Sequence, residues 1–209
     1  MNEAKDQVEP FNFVGNRLCI DFCNTLHDRN TSMQRDHFGA YSDLAWWSEA
    51  AGILLPEETQ HLLEEAKRHP AEAKLILQRA VVLREAIYRI FSAIAREDAP
   101  EAEDLQILNT VYAEAMSRAC VVQKGSSFVW EWSGKEMALD RILWDIARSA
   151  AELLVSEELA LLHECAAEDC GWLFLDTSKN HTRRWCDMKN CGNRAKVGRH
   201  YERTRRKQS

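Results

Sequence analysis

The 209-residue sequence predicts a mostly α-helical protein with small β elements and a cysteine-stapled module at its C-terminal end. Three observations carry that expectation. Between residues 42 and 155, long stretches place apolar side chains three and four apart, the repeat of helices with one face in a core. One stretch, 119–132, switches to the two-residue repeat of strands. The pattern Cys-x4-Cys-Gly occurs twice, as Cys165 to Gly171 and Cys186 to Gly192, with fifteen residues between the pairs.

Residues 1–10 are polar and acidic and read as disordered. Residues 11–26 (FNFVGNRLCIDFCNTL) suggest a short extended segment, a turn at Gly15-Asn16 and entry into a helix near Asp21. Ser42 is a candidate cap for a helix through Ala51 that carries Leu44, Trp46 and Trp47. Pro56, followed by Glu57 and Glu58, starts a helix to about His69, and Pro70 starts a long one. The long helix carries Leu75, Ile76, Ala80, Leu83, Ile87, Ile90, Phe91 and Ile94 as its apolar stripe. Pro100 opens another, to about Arg118. Residues 119–123 and 128–132 flank Lys124-Gly-Ser-Ser127 and read as a hairpin. Helix resumes over 135–155, and Ser156 with Glu157 and Glu158 caps a short one leading into Cys165. No flexible linker precedes the cysteines, so the module is expected to be docked on the body. The expected division is 1–160 for the helical domain and 161–209 for the module.

The N-terminus is polar, and no run of about 18 apolar residues exists, which argues against a signal peptide or membrane span. The expected location is the cytoplasm. Seven cysteines in a reducing compartment favour metal binding over disulfides. Two close pairs of thiolates match the needs of a tetrahedral structural Zn²⁺, with Cys165, Cys170, Cys186 and Cys191 as ligands. An iron–sulfur cluster is the competing occupant. His163 and His181 are near, but four thiolates already close the site. The glycine after each pair suits a turn with positive φ. Cys19, Cys23 and Cys120 read as small buried hydrophobes. Between the pairs, residues 171–176 and 183–186 suggest a minimal hairpin, with Trp172, Phe174 and Trp185 as a miniature core.

Net charge is −6, yet residues 179–209 carry eleven Lys/Arg against Asp187 and Glu202, leaving the remainder strongly acidic. A basic end of this kind points to a polyanion. From Gly192 the chain reads as a helix on which Lys196, Arg199, Arg203 and Arg206 share a face, with Val197, Tyr201 and Thr204 beside it. With Lys179, Arg183, Arg184 and Arg194, these are the candidate nucleic-acid contacts. DNA is the expected partner. RNA, or an acidic protein such as a second copy of the chain, is the alternative. Asp21, Asn24 and Thr25 form a polar set amid apolar residues and are candidates for a small-molecule pocket, although capping is the commoner role for such residues. Glu85 reads as a solvent-facing charge. No nucleophile elbow, phosphate-binding glycine loop or HExxH pattern appears, so no enzyme activity is expected.

The run Cys165…Cys170-Gly-Trp-Leu-Phe-Leu-Asp176…Arg183-Arg-Trp-Cys186…Cys191-Gly-Asn-Arg194 resembles the CGNR-type zinc finger of bacterial proteins. Residues 15–25, from Gly15 through Leu18, Asp21, Asn24 and Thr25, resemble the opening of the ABATE domain that precedes this finger. Lys179 stands where the family pattern has an arginine. The resemblance implies a treble-clef-like finger with one structural zinc, and a stress-related transcription regulator. In such a protein the finger binds DNA and the ABATE domain senses a signal.

Overall fold

In the computed structural model, which describes residues 11–134 and 138–197, the chain enters extended and turns at Gly15-Asn16 into α1 (Leu18–Cys23). Asn16 takes the positive φ of that turn, 63°. Residues Cys19 to Cys23 are all buried, as expected of a short helix at the centre of a core. The polar loop beyond is closed by an antiparallel pair, β1 (Leu26–His27) and β2 (Arg35–Asp36). Two residues per strand are too few to leave a periodic pattern in the sequence.

The capping of α2 (Tyr41–Ala50) differs from expectation. Ser42 lies inside the helix, and the Asp43 carboxylate instead accepts the N–H groups of Gly39 and Ala40 at 2.9 and 2.8 Å. α3 (Pro56–Arg68) and α4 (Pro70–Ala95) begin at their prolines, as the sequence predicts. Glu58 of α3 reaches back to the Leu55 N–H at 2.9 Å, the reciprocal half of a capping box. On α4, Ala73, Ile76, Ala80, Leu83, Ile87, Ile90 and Phe91 are buried, whereas Leu75 is off that line and exposed.

α5 (Ala102–Met116) follows, then the hairpin of β3 (Ala119–Lys124) and β4 (Ser127–Trp132). Lys124 pairs with Ser127 across a tight turn in which Gly125 has φ of 63°. α6 (Arg141–Leu154) begins later than expected; residues 135–137 lie outside the described ones. A 3-10 turn, Glu157–Leu161, leads into β5 (Leu162–Glu164), which pairs with β6 (Leu173–Leu175). Ser156 does not cap that turn through its side chain: its hydroxyl donates back to the Leu153 carbonyl at 3.0 Å.

α1 packs against both α4 and α6, and α5 covers that pair. β5 and β6 close the remaining side against α4 and α1. Leu162, Leu173 and Leu175 therefore belong to the same core as Ile20, Phe22, Ile87 and Ile146. Burying a leucine contributes about 1.5–3 kcal/mol, so the C-terminal module is docked by apolar contact as well as by hydrogen bonds. Cys19 and Cys23 are fully buried, and Cys120 is half-buried.

One charged network sits beside this core. Arg84 of α4 is 1% exposed and grips both carboxylate oxygens of Asp36 at 2.7 and 2.6 Å. Glu85, expected to face solvent, is half-buried between Arg84 and Arg29. Neighbouring positive charge, set against the cost of burial, holds its carboxyl below the usual range.

Candidate metal centre

The first cysteine pair lies in the turn of the β5–β6 hairpin. Cys165 follows β5 directly, and its N–H donates to the Trp172 carbonyl at 2.8 Å. The Cys170 N–H donates to the Ala167 carbonyl at 3.0 Å, which tightens the knuckle. Gly171 then turns the chain with φ of 68°. A side chain there would also collide with its neighbours, since a Cβ would lie 2.9 Å from the Arg29 Cβ and 3.0 Å from Asn30 Oδ1. The expected hairpin between the two pairs is thus corrected: β6 pairs upstream with β5, and residues 183–186 form no strand. Leu173 and Leu175 are buried on the body, which settles the strand's partner.

The second pair is organised by Asp187. Its Oδ1 accepts the Lys189 N–H at 2.9 Å and its Oδ2 accepts the Asn190 side-chain amide at 2.8 Å. A wide helical turn, Met188–Gly192, carries Cys191 and runs on as helix over 193–197. Gly192 lies within this helical run and does not share the positive φ of Gly171. What it supplies is room, because a Cβ there would lie 2.8 Å from Met188 Sδ.

These local structures bring four buried Sγ atoms within 4.8 Å of one another. Cys170 and Cys186 are 3.6 Å apart, and Cys186 and Cys191 are 3.7 Å apart. Four sulfurs at about 2.3 Å from a tetrahedral zinc stand about 3.8 Å from each other, so the residues fit the ion. The Cys186 N–H points at Cys165 Sγ at 3.4 Å, and Arg194 donates to Cys191 Sγ at 3.2 Å while pairing with Asp169 at 2.9 Å. Such donors offset the negative charge of four thiolates on one dication. The four cysteines are positioned to hold one structural zinc. Four thiolates leave no position on the metal for water.

Trp172, Phe174 and Trp185 pack around the cysteines as expected, with Phe174 fully buried. Asp176, just past the end of β6, does more than its place in the sequence suggests. Its carboxylate accepts the N–H groups of Ser178 and Arg183 at 2.9 and 2.7 Å, and its carbonyl meets His181 Nδ1 at 2.9 Å. Hydrogen bonds, chiefly from Ser178, hold its carboxyl down at about 2. Asp176 thereby shapes the loop to the second pair. An aspartate followed by Thr-Ser is a turn signal that could have revealed this.

Of the cations singled out in the sequence, Lys179, Arg184, Arg194 and Lys196 are exposed. Arg183 is not part of that surface. Its guanidinium lies 4.3 Å over the Phe174 ring and donates to the carbonyls of Trp185, Val14 and Cys186. Arg199, Arg203 and Arg206 lie outside the described residues.

Asp21, Asn24 and Thr25 are buried and bonded to protein. Asp21 accepts the Gly15 N–H at 2.7 Å. Thr25 donates to the Phe22 carbonyl at 2.8 Å and accepts from Arg84 at 3.1 Å. Asn24 bonds the main chain of Leu173 in β6. Around them, the Leu175 N–H donates to the Gly15 carbonyl at 3.0 Å, Trp172 Nε1 to the Leu26 carbonyl at 3.0 Å, and the Arg29 N–H to the Cys170 carbonyl at 3.2 Å. The N-terminal motif and the finger motif are two halves of one interface. Both motifs are legible in the sequence, whereas their contact is made only in the fold.

Comparison with known proteins agrees with this construction. Residues 16–157 match the ABATE family, described as "Putative stress-induced transcription regulator", and residues 162–204 match the CGNR zinc finger. No curated protein matches the chain. With the larger match spanning well over half of its length, the chain belongs to the ABATE family and carries a CGNR zinc finger at its C-terminal end.

Proposed function

We propose that this protein is a DNA-binding transcription regulator, with residues 161–209 as the DNA-facing part and residues 1–160 as the part that receives a signal. The observation that carries the reading is the outer surface of the finger. Lys179, Arg184, Lys189 and Lys196 are exposed there, and none has a carboxylate partner among the described residues. A zinc-braced surface with several unneutralised cations suits phosphate contacts, which position a protein on a duplex. Beyond the helical run 193–197 the sequence adds Arg199, Arg203 and Arg206, which lie outside the described residues. The family description supports the same role. Binding, not catalysis, is the proposed activity, since a four-thiolate zinc has no open position. The proposed setting is the cytoplasm; no helix of the described residues is long and apolar enough to cross a membrane.

The test is binding of the zinc-loaded chain to fragmented genomic DNA at about 50 and 200 mM salt, with sequencing of the retained fragments. Enriched sequences that survive the higher salt establish a sequence-specific regulator. Arg184→Ala with Lys196→Ala should weaken binding and reduce the salt slope by about one per lost phosphate contact, with zinc content unchanged. Absence of binding at both salts overturns the DNA reading and favours docking on an acidic protein.

A further inference from the structure

A cavity of about 500 Å³ opens beside the finger, between the loop after β1 and the outer side of α4. Arg29, Gln34, Tyr88, Arg89, Ser92 and Arg96 are among its lining residues. Its volume is in the range of small-molecule sites, about 300–1,000 Å³. Asp21, Asn24 and Thr25, the expected pocket residues, do not line it.

Arg29 is the feature that calls for explanation. Its side chain is only 5% exposed. Nη1 donates to Glu85 at 2.7 Å, Nη2 donates to the Cys23 carbonyl at 2.8 Å, and the guanidinium stacks 3.7 Å over the Tyr88 ring. Nε has no partner, and it is the one buried side-chain nitrogen or oxygen so left among the described residues. An unbonded N–H on a buried cation is costly, and native proteins rarely leave one without water or a ligand. The neighbouring arginines differ: each is paired with a carboxylate yet keeps donors at the surface. Arg89 is held by Asp104 through Nε and Nη2, and Arg96 by Glu164 through the same pair of atoms. More than half of each side chain remains exposed. Both oxygens of Glu85 are already engaged by Arg29 and Arg84, and Asp98 is the other acidic residue of the lining.

We propose that this cavity is a binding site for a small molecule bearing a phosphate or carboxylate group, held at its rim by the exposed guanidiniums of Arg89 and Arg96, with Arg29 turning its buried, unpartnered Nε–H to the anion on binding. The site is wired to the zinc centre. The main-chain N–H of Arg29 holds the Cys170 carbonyl, and Arg96 holds Glu164, the residue before Cys165. An occupant thus acts on two of the ties that hold the first knuckle against the body. The inference rests on the reading of the helical part as the signal-receiving half, and gives that signal a chemical class.

The test is a titration of ¹⁵N-labelled, zinc-loaded protein with inorganic phosphate and, separately, with citrate, followed through the arginine Nε–Hε resonances and with no DNA present. A negative result therefore leaves the DNA contact standing. The Arg29 resonance, identified by its loss in Arg29→Lys or by through-bond correlation if that variant does not fold, should shift saturably. The anion that shifts it distinguishes a phosphoryl from a carboxylate ligand. Arg96→Gln, at the exposed rim, should weaken binding about tenfold through loss of one charge-assisted contact. An Arg29 resonance unmoved by either anion at about 10 mM, beyond the millimolar range of weak sites, overturns the proposal. So does a response confined to arginines of the finger.

Discussion

The side-chain amide of Asn24 forms a two-bond clamp on the main chain of Leu173, donating to its carbonyl at 2.9 Å and accepting its N–H at 3.0 Å. The two residues are 149 positions apart. Asn24 is 3% exposed and Leu173 is fully buried, so the amide satisfies two backbone groups of β6 that water cannot reach.

Asn24→Leu, which removes both partners, should therefore cost about 2–6 kcal/mol, since each of the two orphaned buried groups costs about 1–3 kcal/mol. Asn24→Asp keeps the acceptor but loses the donor and buries a carboxylate against the Leu173 carbonyl, so at neutral pH it should cost at least as much as the leucine variant. Urea denaturation checks the order, and a leucine variant with native stability would refute the clamp.

The two glycines of the repeated motif should respond differently to alanine. Gly171→Ala forces a side chain into positive φ and against the Arg29 Cβ, at a cost of about 1–3 kcal/mol. Gly192→Ala meets only the end of a flexible methionine and gains helix propensity of up to about 1 kcal/mol. It should stay within about 1 kcal/mol of native. Equal losses at both sites would contradict the distinction.

Burial raises the Asp21 carboxyl to about 6 from its ordinary 3.8, outweighing the Gly15 N–H and the positive charge of Arg183. The native state thus binds more protons than the unfolded chain between those values. Stability from this group is complete below about 4, declines as pH rises, and is lost above about 6. Asp21→Asn should leave stability near pH 4 unchanged and raise it at pH 7 by on the order of 1 kcal/mol. Thermal or urea unfolding across pH 4–7 measures this; an unchanged slope would sink the assignment.

Cys170→Ser should abolish stoichiometric zinc and loosen the body as well as the finger, because Leu173 and Leu175 are core residues. Chelation of the native protein should have the same effect. Metal analysis with near-ultraviolet circular dichroism of the tryptophans reads both. Retention of one zinc in the variant would mean a different ligand set.

Local regularities in the sequence already determined much of this protein. The proline-started helices α3 and α4, the hairpin β3–β4 and the four ligands of the zinc all followed from spacing within short stretches. Helical repeats, strand repeats and chelating loops are properties of neighbouring residues. Tertiary structure alone decided the roles of residues whose partners are remote. Arg183, counted by charge with the phosphate-binding set, is drawn inward over Phe174 and onto the carbonyl of Val14. Glu85 is enclosed by Arg29, which a separate loop supplies. β6 pairs with β5 because its leucines complete a core that begins at residue 19. A buried polar group takes whichever partner the fold brings to it, and that choice is made across the whole chain.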